Sequence, residues 1–294
     1  MDTMRKVDFF CVGAAKAGTT WLADSFRDHP DVYVPLEKEV GYFNASMIED
    51  PSLPNLNHNK LLSWYHDFYR SANEGQLLGD LTPGYMRYEG TAERIHAYNP
   101  LAKIIIMLRD PLERSHSEFL FWQQRGVVNY KSFEEAIAKY PHILNGSLYC
   151  AQVRPFLETF GDENIHLVLF DELKVNAKGV YDEVARFLGI RPIVSGSVFR
   201  KVNTTQTPIF RPLNAMISGL RLTLRRHEPL RFLLPFLRGV GVVRVAEAIL
   251  SLNKTGKRPS SEVDSALSEE LKNFFQEDIQ CLEKLTGLNL THWK

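Results

Sequence analysis

Between Val12 and Trp21 the chain reads Gly13-Ala-Ala-Lys-Ala-Gly-Thr-Thr-Trp21, behind an apolar run and ahead of a helical pattern. A strand–loop–helix of this kind aims several backbone N–H groups and the positive end of a helix dipole at one point, which makes an anion site. Gly13 and Gly18 keep the Gly-x-x-x-x-Gly spacing of a phosphate loop. The usual loop continues with Lys and Ser/Thr. Here Thr19 and Thr20 follow Gly18, and the lysine stands earlier, at Lys16. The cation is therefore inside the loop, close to the terminal anionic group. The backbone of Ala14, Ala15, Ala17 and Gly18, the Lys16 ammonium and the hydroxyls of Thr19 and Thr20 form the candidate anion cradle. Trp21 can stack on a base or pack in the core.

A second group follows the apolar run Lys103–Leu108: Arg109-Asp-Pro-Leu-Glu-Arg-Ser-His-Ser117. Pro111 suits a first helical position. Arg114 and Ser117, three residues apart, share a helix face. Arg109 falls at the carboxyl end of a strand, where open α/β sheets bind ligands. An arginine fork with a hydroxyl suits a phosphate group.

The elements that must position these groups alternate along the chain. Strands are predicted at Val7–Val12, Leu77–Asp80, Lys103–Leu108 and Ile165–Phe170. Helices are predicted at Thr19–Asp28, Leu112–Arg125, Val180–Leu188 and from Glu262 to Leu285, the last with Ser260 or Ser261 as its N-cap. Strands separated by helices imply an α/β fold, a P-loop-like parallel sheet flanked by helices. The 294 residues read as a single domain, with a basic helical subregion at 205–255 on the acceptor side.

Composition narrows the classes. Hydrophobic residues are 44% and charged residues 24%, which excludes a disordered chain, a collagen-like fibre and a coiled-coil rod. The 35 basic and 35 acidic residues cancel, so no nucleic-acid partner is expected. Residues 200–258 carry twelve Lys/Arg against two Asp/Glu, which suits an anionic ligand, an acidic substrate, a membrane surface or a solvated helical face. Cys11, Cys150 and Cys281 are odd in number and far apart, and are expected to be free thiols in a reducing compartment. The nine histidines show no metal-ligand spacing. The opening apolar run is too short for a signal peptide or a membrane span. The expectation is a soluble, cytoplasmic protein.

At these residues the chain resembles the sulfotransferases that use 3′-phosphoadenosine 5′-phosphosulfate (PAPS), above all the carbohydrate branch with the heparan sulfate enzymes and their bacterial relatives. Gly13-Ala-Ala-Lys-Ala-Gly-Thr-Thr-Trp-Leu22 resembles their 5′-phosphosulfate loop, and Arg109-Asp-Pro-x-x-Arg-x-x-Ser117 their 3′-phosphate motif. Lys38-Glu-Val-Gly-Tyr-Phe43, Gly79-Asp-Leu-Thr-Pro-Gly-Tyr85, Gly146-Ser-Leu-Tyr149 and Phe160-Gly-Asp-Glu-Asn-Ile165 extend the likeness, which runs to Trp293. It departs at Gly41, where the heparan enzymes often have His, and at Asp80-Leu81, where Glu-Lys is common.

The resemblance implies transfer of a sulfuryl group from PAPS to an acceptor hydroxyl on a sugar, glycoconjugate or glycolipid, leaving adenosine 3′,5′-bisphosphate (PAP). Lys16 and the loop would stabilise the leaving phosphate, so no metal is needed. Arg109 and Ser117 would hold the 3′-phosphate, and Lys257 and Arg258 would approach the donor from a C-terminal loop. Glu39 is the implied base, with Asp80 second. His58, His66 and His116 stay open as alternatives. Arg221, Arg225 and Arg226 suit an anionic acceptor, and Phe232, Leu233, Phe236 and Leu237 suit a peripheral membrane contact within 221–250. Two other readings are open: a P-loop kinase or NTPase, and a non-catalytic anion- or membrane-binding module. Oligomeric state is not legible.

Overall fold

The computed structural model describes residues 5–36, 39–45, 56–124, 132–192 and 263–294. The subregion 205–255, the membrane contact expected at 221–250, and the basic pair Lys257 and Arg258 lie outside the described residues.

Five parallel strands form one sheet in the order β2-β3-β1-β4-β5: β1 Phe9–Gly13, β2 Val32–Tyr33, β3 Leu77–Leu81, β4 Lys103–Leu108 and β5 Ile165–Leu169. The central strand β1 is buried along its whole length, as a strand covered on both faces must be. Phe9 pairs with Gly79 across the β1–β3 register. A side chain on Gly79 would collide with the Phe9 ring, so glycine here makes room for a large core residue. The two-residue edge strand β2 is too short to show a sequence period, and the pattern does not predict it.

Helices connect and flank these strands: α1 Thr19–Arg27, α2 Leu62–His66, α3 Thr91–Tyr98, α4 Pro111–Gln124, α5 Phe133–Lys139, α6 His142–Asn145, α7 Cys150–Phe160, α8 Phe170–Val175, α9 Ala177–Leu188 and α10 Ser265–Thr286. Most boundaries fall within two residues of the pattern. The sequence-predicted cap of α10 needs correction. Asp264 takes that role, its carboxylate accepting the amides of Ala266 at 3.1 Å and Leu267 at 3.4 Å.

The chain groups into two compact units. One comprises Met1–Arg114, Gly146–Asn203 and Lys272–Lys294, and contains the whole sheet. The other comprises Ser115–Asn145 and Thr204–Leu271. In the second, Phe119, Phe133, Ala136 and Ile143 are buried, and Ser132 caps α5 by accepting the Glu135 amide at 3.2 Å. No helix among the described residues is long and apolar enough to cross a membrane.

The free-thiol expectation is corrected for two of the three cysteines. Cys150 and Cys281 form a disulfide between the start of α7 and α10, across a separation of 131 residues. Cys11 is a buried free thiol. Linear spacing hid the pair because the contact is tertiary: the Asp278 carboxylate accepts the amides of Tyr149 at 2.6 Å and Cys150 at 3.1 Å, bringing α10 onto the start of α7.

Candidate active site

The strand order places a switch point between β1 and β4. The chain leaves β1 toward the β2 edge and leaves β4 toward the β5 edge. Ligands of open α/β sheets bind in the crevice that such diverging connections leave at the strand carboxyl ends. Both sequence-predicted anion motifs emerge there, residues 14–18 after β1 and Arg109 after β4.

The loop after β1 is shaped by backbone conformation. The register of β1 against β4 shifts between Cys11 and Gly13, and the Ala14 amide donates to the Met107 carbonyl at 2.5 Å. Lys16 (φ +73°) and Gly18 (φ +95°) both take left-handed conformations. A side chain on Gly18 would lie 2.8 Å from Leu173, so this turn needs glycine for its angle and for its packing. As the N-cap of α1, Gly18 offers no side-chain cap, and the first-turn amides open toward the loop. Within the loop Ala14 and Ala17 are buried and Lys16 is half-buried. Thr19 is buried, Thr20 exposed, and Trp21 only 4% exposed.

Arg109 meets this loop directly. Its Nη1 donates to the Lys16 carbonyl at 3.3 Å, and its guanidinium lies 4.6 Å from the centre of the Phe170 ring. Glu113 grips the other side, its Oε2 2.9 Å from Arg109 Nη2 and 3.0 Å from Lys174 Nζ. Burial alone would raise the Glu113 carboxyl, but Lys174 and Arg109 outweigh it and hold the group below the usual carboxylate range. The Arg109 carbonyl accepts the Tyr149 hydroxyl at 2.8 Å. Asp110 caps α4 through the Glu113 amide at 2.8 Å, ahead of Pro111, as the Asp-Pro pair suggests. Arg114 is fully buried and donates through Nε to the Ser147 hydroxyl. Ser117 is half-buried on α4, in the second unit.

Glu39 is exposed and left-handed, with φ +67°. The residues after it are held at several backbone groups. Asn57 Nδ2 donates to the Val40 carbonyl at 2.8 Å, and Arg94 Nε to the Phe43 carbonyl at 2.6 Å. The Gly41 amide donates to Thr82 Oγ1 at 3.4 Å, and the Tyr42 amide to the Tyr85 hydroxyl at 2.9 Å.

Asp80 is 1% exposed on β3. Its carboxylate accepts hydrogen bonds from the hydroxyls of Tyr65 at 2.9 Å, Tyr85 at 2.9 Å and Thr82 at 2.6 Å. Burial pushes its carboxyl up from the ordinary value, and the three hydroxyl donors pull against that shift. Leu81 beside it is also buried.

The three candidate histidines have separate surroundings. His66 is buried, its Nε2 3.0 Å from the Tyr98 hydroxyl, and burial lowers its pKa. His116 packs against Phe119 and Phe133. His58 is half-buried in a short 3₁₀ turn. Asn57, Tyr65, Arg94 and Phe170 play parts that motif spacing does not announce, since each reaches the site through a tertiary contact. For Tyr65 the dense aromatics between Tyr33 and Tyr98 were the available signal; Asn57, Arg94 and Phe170 had none.

The short 3₁₀ turn Tyr85–Arg87 touches both halves of the site. Tyr85 holds the Glu39 loop, and a side chain on Gly13 would collide with Met86. The loop after β1 and the loop after Glu39 thus share one support.

Known proteins resemble this chain. The chain is 32% identical over 124 residues to the membrane-associated sulfotransferase kil1 of Dictyostelium discoideum, covering 40% of this chain and 24% of that protein. It is 27% identical over 197 residues to heparan sulfate glucosamine 3-O-sulfotransferase 3A1 of Mus musculus, covering 64% and 47%. The matched regions thus span between about a quarter and a half of these curated relatives. Among solved structures, a sulfotransferase from Alicyclobacillus acidocaldarius superposes with a TM-score of 0.69 at 25% identity, covering 98% of this chain and 99% of that one. A family model for the sulfotransferase domain matches residues 6–207, a stretch that begins before β1 and takes in the loop after it, the Glu39 loop, Asp80 and the Arg109 motif. That match covers well over half of the sequence, and the chain belongs to the sulfotransferase domain family.

Proposed function

We propose that the protein transfers a sulfuryl group from PAPS to an acceptor hydroxyl on a carbohydrate or glycoconjugate. The observation that carries this reading is the meeting of the two anion motifs at the switch point, where Arg109 Nη1 bonds the carbonyl of Lys16. PAPS presents anionic groups at both ends of its ribose, and the two motifs offer a loop of amides with a lysine and, beside it, an arginine fork. The sugar acceptor is supported by the name of the mouse relative, a heparan sulfate glucosamine sulfotransferase.

In this mechanism the acceptor oxygen attacks sulfur in line with the leaving 5′-phosphate. One S–O bond forms as the other breaks, and the acceptor proton passes to Glu39. Lys16 and the amides at the start of α1 stabilise the charge growing on the leaving phosphate. Arg109 holds the 3′-phosphate and fixes the donor's register. Glu39, exposed at the head of its loop, is open to solvent. Asp80, enclosed by three donors, is not.

Calorimetric titration with PAP in EDTA, on wild type and Lys16→Ala, tests the donor site. Tight metal-free binding that weakens in the variant is expected. Transfer of ³⁵S from PAPS to a panel of simple glycosides, heparosan oligosaccharides and glycolipids tests the acceptor class. Absence of PAP binding to the wild type, beside magnesium-dependent ATP binding, would sink the reading.

A further inference from the structure

The loop that carries Glu39 cannot hold its own shape. Glu39 and Gly41 have φ of +67° and +63°, on either side of the buried Val40. A non-glycine residue in this region costs about 1–2 kcal/mol, so its conformation must be imposed from outside. Two of the groups that impose it are hydroxyls, those of Thr82 and Tyr85, and both act as acceptors toward loop amides.

A hydroxyl has one proton. It reliably accepts from an amide when that proton is committed elsewhere. For both hydroxyls the commitment is to Asp80: Thr82 Oγ1 donates to Oδ1 at 2.6 Å, and Tyr85 donates to Oδ2 at 2.9 Å. Tyr65 donates to the same Oδ2, and its ring stacks on Tyr42 with centroids 4.8 Å apart. One buried carboxylate therefore sets the direction of three hydroxyls. The Thr82 and Tyr85 hydroxyls hold the Gly41 and Tyr42 amides, and the Tyr65 ring holds the Tyr42 ring.

We propose that Asp80 is a positioning residue, which orients the Thr82, Tyr85 and Tyr65 hydroxyls and through them fixes the Glu39 loop for proton transfer. This rests on the assignment of Glu39 as the base. It gives Asp80 a role distinct from that of an alternative base. A carboxylate suits this role better than an amide would. It accepts from all three hydroxyls at once, whereas Asn would present an NH₂ to at least one of them and turn that bond around.

The test uses Thr82→Val, Thr82→Ser and Tyr85→Phe beside Asp80→Asn, each alone and combined with Glu39→Gln. The readouts are kcat and KM with ³⁵S-PAPS and the best glycoside acceptor, PAP affinity by calorimetry, and amide hydrogen exchange. Thr82→Val and Tyr85→Phe are expected to lower kcat by about 10- to 100-fold, the scale of a misplaced catalytic group. PAP affinity and the KM for PAPS should stay unchanged, and Thr82→Ser should return most of the rate. The amides of residues 41–43 should exchange faster while those of β1 and β4 do not. On a Glu39→Gln background the same changes should cost no further rate. Should Asp80→Asn fail to fold, the two hydroxyl deletions carry the test.

Wild-type kcat in both hydroxyl deletions would overturn the proposal. So would an equal loss on the Glu39→Gln background, or a parallel loss of PAP affinity. Wild-type kcat in Glu39→Gln alone would overturn the base assignment, and the positioning role with it. Hydrogen exchange would then still report whether Asp80 holds the loop.

Discussion

On the proposed donor side the two anion motifs are short stretches of chain, residues 13–20 and 109–117, each following directly on a central strand. On the acceptor side Glu39 heads a loop held by Asn57, Thr82, Tyr85 and Arg94, which are 18 to 55 residues away in sequence. The first arrangement is local: strand, glycine turn and helix start determine where the amides point. The second is assembled, and a buried carboxylate sets its hydrogen-bond polarity. The carboxyl ends of central strands can therefore hold a donor by backbone geometry while the acceptor side is left to side chains.

The sharpest way to break this division is to compare Lys16→Ala with Glu39→Gln. Lys16→Ala should cost transfer about 10²- to 10³-fold, the scale of one lost oxyanion donor, and should weaken PAP as well. Glu39→Gln should cost about 10²- to 10⁴-fold in kcat, the range for a general base, with PAP affinity at the wild-type value. ³⁵S transfer and calorimetry on the same preparations check both. If Glu39→Gln also weakened PAP, the two sides would not be separable.

This division also explains what could be read without coordinates. The donor half was legible because its chemistry is written in consecutive residues: Gly13 to Thr20 behind an apolar strand, and Asp110-Pro111 opening a helix. Long apolar runs such as Lys103–Leu108 gave strand positions because burial on both faces needs no special spacing. Asp80 was legible as a residue of interest but not in its surroundings, since Tyr65 reaches it only after β3 and α2 pack. The Cys150–Cys281 pair was hidden for the same reason. β2, at two residues, is set by pairing with β3 rather than by its own pattern.

The donor side has one assembled brace of its own. The disulfide and the Asp278 carboxylate fix the start of α7, and the Tyr149 hydroxyl there holds the Arg109 carbonyl. Reduction, or Cys150→Ser with Cys281→Ser, is expected to cost roughly 2–4 kcal/mol, because it frees a long loop in the unfolded chain. The melting temperature should fall by about 5–10 °C. PAP affinity should fall with it, while hydrogen exchange at residues 41–43 stays as in the oxidised protein. Differential scanning calorimetry with and without dithiothreitol checks the first expectation. Unchanged stability would mean that α10 is held by its apolar contacts and the Asp278 hydrogen bonds without the disulfide.

A smaller effect separates backbone need from packing at two glycines. Gly18 and Gly75 both have positive φ, +95° and +85°, but only Gly18 has neighbours that an added methyl would meet. Gly75→Ala should cost about 1 kcal/mol for its backbone angle. Gly18→Ala should cost more, on the order of 2 kcal/mol, since Leu173 must also move. It should also weaken PAP, because the turn aims the first amides of α1. Urea unfolding of the two variants makes the comparison, and equal costs would assign the whole effect to the backbone angle.

The smallest expected effect concerns the charges around Arg109. Glu113 and Asp171 are both held below their usual values. Burial opposes this in each; Lys174 and Arg109 lower the first, and Trp293 and Lys174 lower the second. A carboxyl whose folded pKa is depressed stabilises the fold above its unfolded value and loses that contribution as pH falls through the folded one. The Glu113 contribution is therefore intact at pH 7 and fades below its ordinary value near 4.5. Its side chain is 46% exposed, so Glu113→Gln should cost about 0.2–1 kcal/mol at pH 7 and less in high salt. Urea unfolding at pH 7 and at pH 3 should show the difference between wild type and variant narrowing at the lower pH. A difference that held at both would mean that Glu113 works by packing and hydrogen-bond shape, and that Arg109 is oriented for the donor by Phe170 and the Lys16 carbonyl rather than by its ion pair.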